Sequence, residues 1–222
     1  MRSLVLLSGG LDSTVTAYSA KSQSTEVNFL SFDYGQLHKK ELEVAKKTAE
    51  ALGGSHYIIE MPLVQILDSS LLGKGEIPVE EGSSIPSTWV PQRNSIFLAI
   101  AFGLAESIGA TAVHIGVNSL DYSGYPDCRP EFIEQIGKGL NLASKAFVEH
   151  QRRIEIVTPL QYLAKADIIK LGLAFGVNFK DTWSCYRGGE RACGRCPSCN
   201  IRLEGFKLVG IEDPIEYEDV LY

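Results

Sequence analysis

The stretch Ser8-Gly9-Gly10-Leu11-Asp12-Ser13 decides the fold of this chain. It follows the apolar run 4–7, which has the length and bulk of a buried strand, and it precedes residues that can form a helix. Glycine lets a backbone turn tightly, and the start of a helix presents unpaired amide groups and a favourable dipole to an anion. We therefore expect a phosphate-binding turn, with one of the polar side chains at positions 12–14 capping the helix.

The spacing of the glycines separates this turn from two other phosphate-binding motifs. A P-loop requires a lysine directly after its last glycine, and here no lysine follows Gly10 before Lys21. The dinucleotide fingerprint G-x-G-x-x-G is absent because the two glycines are adjacent. The alternative is a Gly-Gly turn that binds nothing, which the complete hexapeptide directly after a strand disfavours.

The composition describes one full-sized core with room for a small appendage. The chain has 222 residues, 45% of them hydrophobic. Lysine and arginine number 21 against 27 aspartates and glutamates, and this net charge of −6 argues against broad nucleic-acid binding. The longest apolar stretch, 96–105, is about half the ~20 residues that span a bilayer. We expect a soluble cytoplasmic protein without a membrane or nucleic-acid partner.

Strand-like and helix-like segments alternate along the chain. This alternation predicts an α/β fold: a Rossmann-like five-stranded parallel sheet with helices on both faces. The loops after the first, second and fourth strands should then meet at one edge of the sheet. The later strands are predicted at 27–32, 55–60, 111–117 and 154–157, and the helices that separate them include 39–52, one starting near 93, and 131–147.

Polar residues follow these strands or begin the helices. Asp33 and Tyr34 end the second strand, and Arg93 and Asn94 stand where phosphate or carboxylate recognition at a helix start is natural. Lys165 can reach a phosphate from its own helix. The alternative for both cations is a solvated surface charge. The segment 62–91 holds four prolines and is predicted to be a substrate-covering lid, the alternative being a surface excursion.

Four cysteines near the carboxyl end have the spacing of a metal site. Cys185, Cys193, Cys196 and Cys199 can surround Zn²⁺ tetrahedrally, with Gly194 easing the turn and Pro197 starting a helix. An iron–sulfur cluster is the alternative, although the fourth ligand lies upstream and no C-x3-C-P follows. With four protein ligands the metal has no open position, so we expect a structural role. Cys128 stands apart and is interpreted as a core residue rather than a nucleophile.

Taken together, the motifs resemble the 7-cyano-7-deazaguanine synthase family of the ATP pyrophosphatase (PP-loop) superfamily. The resemblance rests on SGGLDS, on FDYGQ with His38 and Glu41, on PQRN, on GVN with DYSGYPDCRPEF, on TPL with KADI, and on WSCY with CGRCPSC. It runs from Leu4 to about Glu212.

The resemblance implies an adenine nucleotide alpha hydrolase-like fold and a ligase on the route to queuosine, a modified tRNA base. Such an enzyme converts 7-carboxy-7-deazaguanine and ammonia into a nitrile, consuming ATP to AMP and pyrophosphate. It implies Mg²⁺ with ATP, one structural Zn²⁺ per subunit and a homodimer. We divide the chain into an ATP pyrophosphatase domain, 1–180, and a small zinc-binding subdomain, 181–222, packed on it.

Motifs and resemblance together assign the site residues. The catalytic candidates are Asp12, Ser13, Arg93 and Lys165. The substrate-binding candidates are Arg93, Asn94, Asp121, Tyr125, Asp127 and Arg129, while Arg187, Arg191 and Arg195 either balance the charge of the cysteines or face substrate. The ATP-binding candidates are Ser8, Gly9, Gly10, Leu11, Asp12, Ser13, Thr14, Val15, Asp33, Tyr34 and Gly116.

Two other functions compete with this one. A tRNA sulfurtransferase would use the same loop to adenylate a base before thiolation, but it would need a reactive cysteine and a basic face for RNA. A zinc-ribbon binding module with a silent nucleotide fold is the second alternative, and the intact SGGLDS turn argues against it.

Overall fold

Five parallel strands form one sheet in the structure, a computed structural model that describes residues 1–37, 40–79, 85–119 and 124–218. The order β3-β2-β1-β4-β5 places the strand that leads into the glycine turn at the centre. All four pairings are parallel, as the alternation of segments predicts. The strands are β1 (Arg2–Leu6), β2 (Glu26–Asp33), β3 (His56–Glu60), β4 (Ala112–His114) and β5 (Glu155–Val157).

Helices cover both faces of the sheet, because successive side chains of a buried strand point to opposite sides. Leu4 and Leu6 of β1 pack with α3, whereas Val5 and Leu7 pack with α1 and α2. A further cluster joins α1 to α6 and α7. The helices are α1 (Leu11–Gln23), α2 (Lys40–Leu52), α3 (Arg93–Ile108), α4 (Pro130–Leu142), α5 (Lys145–His150), α6 (Lys165–Ala174) and α7 (Pro197–Val209).

The single helix predicted over 131–147 is wrong, because the structure divides it into α4 and α5. The break has a physical cause in Glu106 of α3. Its carboxylate accepts hydrogen bonds from the Ser144 hydroxyl at 2.9 Å and from the Ala146 amide at 2.7 Å. These contacts satisfy donors at the start of α5, so a new helix begins there. They also lower the pKa of Glu106.

The fourth strand is also shorter than the predicted 111–117. Its ladder with β5 ends at His114, and the Ile115 amide makes one more hydrogen bond, to the Val157 carbonyl at 3.0 Å. Gly116 lies so close to α1 that a Cβ atom there would be 2.9 Å from Thr16 Oγ1 and 3.1 Å from the Asp12 carbonyl. The shortened strand therefore brings a loop against the start of α1.

The described parts of the segment 62–91 are packed into the protein. Leu63, Leu71, Thr88 and Val90 are buried on the α3 side of the sheet. The Thr88 hydroxyl lies 2.6 Å from the Tyr125 hydroxyl, which joins this segment to the loop before α4. The described part of the segment thus contributes residues to the core, the substrate-covering lid stays a prediction, and 80–84 lie outside the described residues.

No helix in the described part of the chain is long and apolar enough to cross a membrane.

We predict that Gly9→Ala lowers the free energy of unfolding by about 2 kcal/mol or more. Gly9 has φ of +90°, and a Cβ atom there would lie 2.1 Å from the Glu41 carbonyl oxygen of α2. Denaturant unfolding followed by circular dichroism measures the change. Gly139→Ala in α4 is the matched control, since nothing lies within 4 Å of its Cβ position and alanine should stabilise that helix. Equal effects of the two substitutions would contradict the prediction.

Candidate active site

A cavity of about 240 Å³ opens at the carboxyl ends of the central strands. The loops after β1, β2 and β4 all contribute to its lining, which confirms that they meet at one edge of the sheet. Eleven of the candidate residues predicted from the sequence line it: Ser8, Gly10, Leu11, Asp12, Ser13, Tyr34, Arg93, Asn94, Gly116, Tyr125 and Lys165.

The glycine turn presents backbone amides to this cavity. The first hydrogen bond of α1 runs from the Thr14 amide to the Gly10 carbonyl at 3.0 Å, so the amides of positions 11–13 have no partner within the helix. The structure provides no side-chain cap, which corrects the expected capping by Asp12, Ser13 or Thr14. Instead, Ser13 Oγ accepts hydrogen bonds from the amides of Ser8 and Gly9, each at 3.2 Å. The hydroxyl therefore fixes the turn rather than the helix end.

Four candidate nucleotide residues do not line the cavity. Gly9 packs under α2, Val15 is fully buried in the core, and Thr14 is buried with its hydroxyl unpaired. Asp33 lies at the end of β2, outside the lining.

Lys165 and Asp12 form a charge pair inside the cavity. The Lys165 ammonium contacts both carboxylate oxygens of Asp12, at 2.6 and 2.8 Å, and its side chain is 8% exposed. Gly205 of α7 makes room for this lysine, because a Cβ atom there would lie 2.5 Å from Lys165 Cγ. A buried ammonium needs such a partner to offset its desolvation. The pair thus places a cation directly beside the turn.

Arg93 brings a second cation into the cavity from the first position of α3. Its guanidinium lies 3.5 Å from the Tyr34 hydroxyl and 6.0 Å from the centre of that ring. Burial acts to lower the pKa of Arg93, but interactions with Tyr34 and Asp127 outweigh it and raise the pKa above its usual value. The guanidinium therefore keeps its charge and favours an anionic ligand.

Three of the substrate candidates are not placed in the lining. Asp127 Oδ2 accepts a hydrogen bond from the Asn94 amide at 3.0 Å, so it caps α3 and positions the residues there. Arg129 is exposed at the start of α4. Asp121, like His38 of the family motif, lies outside the described residues.

Two phenylalanine rings that sequence reasoning missed form one wall of the cavity with the predicted Tyr34. Phe32 and Phe97 stack with centroids 4.0 Å apart and an interplanar angle of 7°, and Tyr34 meets Phe97 edge-on at 5.5 Å. Phe97 follows Arg93 by four residues on the same helix, so the two side chains share one helix face. This spacing could have identified Phe97 as a site residue from the sequence. The wall offers an apolar surface for a flat ring system beside a buried arginine.

Cys128 also lines the cavity, and burial raises its pKa to about 12. Its thiol is therefore neutral near pH 7, as expected for a core cysteine rather than a nucleophile.

The four-cysteine cluster is buried, and its Sγ atoms all lie within 4.8 Å of one another. Cys193 and Cys199 are 3.9 Å apart, close to the roughly 3.8 Å edge of a tetrahedron with 2.3 Å zinc–sulfur bonds. The amides of Cys193 and Cys196 each donate to a cluster sulfur at 3.3 Å, which is typical support for metal thiolates. Gly194 has φ of +67° and Pro197 begins α7, as predicted. The cluster therefore fits a tetrahedral metal ion.

The arginines near the cluster are exposed and lie outside the cavity lining. Arg187 lies 3.4 Å from the Ile77 carbonyl and Arg191 pairs with Glu216 at 3.2 Å.

The cysteine region contacts the glycine turn directly. The Trp183 amide donates to the Gly9 carbonyl at 3.0 Å, and Trp183 packs in the same apolar cluster as the four cysteines. Lys40 of α2 lies over the Trp183 ring, 4.0 Å from its centre. Three separate parts of the chain therefore meet at the turn.

Comparison with known proteins places the chain in a family. Residues 2–210 match the family described as "Queuosine biosynthesis protein QueC". The chain belongs to this family. A relative from Thermoplasma acidophilum, named 7-cyano-7-deazaguanine synthase, is 48% identical over 98% of this chain and 92% of its own length. One from Clostridium kluyveri with the same name is 47% identical over 98% of both chains.

Two solved structures share the fold at low sequence identity. The NMN synthetase of Francisella tularensis has a TM-score of 0.54 and 17% identity, over 95% of this chain and 77% of its own. A 4-thiouridine synthetase solved with RNA and ATP has a TM-score of 0.51 and 17% identity, and the match spans half of its length. At such identity the likeness concerns the fold alone.

We predict that Cys196→Ser releases the metal and lowers the free energy of unfolding by about 3 kcal/mol or more, since metal binding contributes to folding. Elemental analysis of the purified protein and denaturant unfolding measure the two effects. Cys128→Ser is the matched control: it alters a buried cysteine outside the cluster and should keep the metal. Unchanged metal content in Cys196→Ser would contradict a metal site at the cluster.

Proposed function

We propose that this chain is an ATP-dependent ligase that converts 7-carboxy-7-deazaguanine and ammonia into 7-cyano-7-deazaguanine, for queuosine biosynthesis. The name of its full-length relatives supports this proposal. The observation that carries it is that the SGGLDS turn, Lys165 and Arg93 line one cavity. Such a site combines a phosphate-binding turn with a buried cation for a carboxylate.

The first stage activates the acid. A carboxylate oxygen of the substrate attacks the α-phosphorus of ATP, the bond to the β-phosphate breaks, and pyrophosphate leaves. We assign the amides of the α1 start, with Ser8 and Ser13, to hold pyrophosphate. Lys165 stabilises charge on the phosphates while Asp12 positions its ammonium. The acyl adenylate has AMP as a good leaving group.

The second stage forms the carbon–nitrogen bond and then converts the amide into the nitrile. Ammonia attacks the acyl carbon, a proton leaves the nitrogen, and AMP departs to give an amide. A second ATP adenylates the amide oxygen, again releasing pyrophosphate. Loss of AMP and two protons from nitrogen then gives the nitrile. The protein contributes mainly orientation and charge stabilisation to both rounds.

We place the deazaguanine against the aromatic wall. Arg93 would pair with the substrate carboxylate, and Asn94, with Tyr125, would contact the ring system. Asp127 serves this site indirectly by fixing the start of α3. The buried charge of Arg93 and the stacked Phe32 and Phe97 support this placement.

Two metals are part of the proposal. Carboxylate oxygens of Asp12 and Glu41 line the cavity, and such hard ligands fit Mg²⁺ together with phosphates. Bound Mg²⁺ neutralises charge on the phosphates of ATP. One Zn²⁺ per chain is proposed for the four cysteines, where it stabilises the fold.

A tRNA sulfurtransferase is not favoured by the same observations. Four of the five cysteines form one closed cluster, and the fifth has a pKa raised to about 12. Neither a cysteine in the closed cluster nor a cysteine with so high a pKa supplies the reactive thiolate that sulfur transfer requires.

We also propose that 181–222 act as a metal-binding subdomain packed on 1–180. The edge-on contact of Phe206 with Phe179, 5.4 Å between centroids, supports such packing. A homodimer in the cytoplasm, acting on small molecules without a nucleic-acid partner, follows from the family resemblance, and the net charge of −6 accords with the last point.

The proposed function predicts that the chain exchanges labelled pyrophosphate into ATP only when 7-carboxy-7-deazaguanine is present. With ammonia it should form the nitrile and release two AMP and two pyrophosphate per product, which chromatography and mass spectrometry measure. ADP as the spent nucleotide would contradict the proposal, and so would thiolation of tRNA without nitrile formation.

Lys165→Met should lower kcat/KM by about 10²–10³-fold, because it removes a cation from developing phosphate charge. The matched control is Lys170→Met on the same helix, whose exposed ammonium pairs with Asp167 at 3.2 Å and which should change kcat/KM by less than about twofold. Steady-state kinetics measure both variants. Similar losses in the two would contradict a specific role for Lys165.

A further inference from the structure

A buried ion pair between Arg202 and Asp213 lies next to the candidate active site. Arg202 belongs to α7, is 1% exposed, and reaches the cavity lining. Its Nε donates to Asp213 Oδ2 at 2.6 Å and its Nη2 to Asp213 Oδ1 at 2.9 Å. A buried pair is stable only when its remaining donors and acceptors are satisfied. The partners of each donor therefore indicate what Arg202 does.

Every N–H group of Arg202 has a partner in the protein. Nη2 also donates to the Phe179 carbonyl at 3.1 Å. Nη1 donates to Thr182 Oγ1 at 2.8 Å and to Ser184 Oγ at 3.3 Å. Because a guanidinium has five N–H donors, none remains for a ligand. Arg202 therefore holds protein groups in place and does not itself bind an anion.

Both oxygens of the Asp213 carboxylate likewise accept further hydrogen bonds from the protein. Oδ1 accepts a further hydrogen bond from the Ile215 amide at 3.3 Å, and Oδ2 accepts one from the Tyr217 hydroxyl at 2.6 Å. The side chain is 2% exposed. All the donors and acceptors of this ion pair are thus engaged within the protein. Among the described residues that hydrogen-bond to the pair, Ser184 is the one that lines the cavity.

Ser184 has a hydroxyl proton to donate at the cavity. Its Oγ accepts a hydrogen bond from Arg202 Nη1 at 3.3 Å, and no hydrogen bond runs from the Ser184 hydroxyl to another of the described residues. The side chain is partly exposed and lines the cavity. A serine hydroxyl with its acceptor side occupied by a cation is suited to donate to an anion.

Ser184 lies next to the glycine turn, where the proposed function places pyrophosphate. The preceding residue, Trp183, donates its amide to the Gly9 carbonyl at 3.0 Å. Its carbonyl oxygen lies 3.5 Å from where a Cβ atom of Gly10 would be. Ser184 therefore stands beside the turn whose amides bind phosphate in the proposed function.

We propose that the Ser184 hydroxyl is a further ligand of the pyrophosphate that leaves ATP, and that Asp213 and Arg202 position it. Ser184 touches the anion, whereas the ion pair acts through Ser184. This role rests on the proposed function, because it requires pyrophosphate to bind at the glycine turn.

Direct binding measurements test the role of Ser184. Ser184→Ala should raise the Kd of pyrophosphate with Mg²⁺ about tenfold, since one hydrogen bond to a charged group is lost. The Kd of adenosine, which lacks phosphates, should stay unchanged. Ser184→Thr keeps a hydroxyl and should restore binding to within about threefold of the original chain. Metal content is measured in each variant because Cys185 is adjacent. Isothermal titration calorimetry provides the constants.

The positioning role of the ion pair is tested with Asp213→Asn, alone and combined with Ser184→Ala. If Asp213 acts through Ser184, the double variant should bind pyrophosphate no more weakly than the weaker single variant. Additive losses would overturn the positioning role. Should Asp213→Asn fail to fold, the comparison of alanine with threonine at position 184 still decides the role of the hydroxyl.

Two outcomes would overturn the inference, and they differ in meaning. If Ser184→Ala binds pyrophosphate as the original chain does, or loses adenosine equally, Ser184 is not a pyrophosphate ligand, and the proposed function stands. If the original chain binds no pyrophosphate and catalyses no exchange, the proposed function fails and this role fails with it.

Discussion

The hydrogen bond from the Trp183 amide to the Gly9 carbonyl is the contact on which the site depends. Gly9 has φ of +90°, and on its other side the Glu41 carbonyl occupies the space that any side chain would need. A turn fixed from both sides keeps its amides directed at the cavity without help from a ligand. This preorganisation matters because amides that must reorient during reaction stabilise developing charge poorly.

The charges around the cavity are divided between binding and support. Lys165 faces Asp12, Arg93 lies beside Tyr34, and Arg202 is fully engaged by Asp213 and its neighbours. The cation with all its donors occupied belongs to the framework, while the proposed function assigns charge stabilisation to those nearer the glycine turn and the aromatic wall. The overall charge of −6 therefore gives little indication of the electrostatics inside the site.

Local patterns predicted the parts of the site that are close together in sequence. The glycine turn and the cysteine spacing each lie within one short stretch, and the parallel sheet follows from a local alternation of strand and helix patterns; the structure has both the sheet and the cysteine cluster. What the sequence could not provide were contacts between distant residues. The break before α5 depends on Glu106, some forty residues earlier. The burial of Arg202 depends on Asp213 in the tail, and an arginine in a helix pattern otherwise indicates a solvated face.

The four cysteines do not line the cavity, but they pack against the segment that does. Trp183 shares an apolar cluster with the four cysteines, and the next residue, Ser184, faces the cavity. A segment so short has little core of its own, and a metal ion bound by the four cysteines would supply free energy that holds it in one conformation. In the proposed function the cysteines would therefore act through the position of the glycine turn, which is a different task from the reactive thiolate of a sulfur-transfer enzyme.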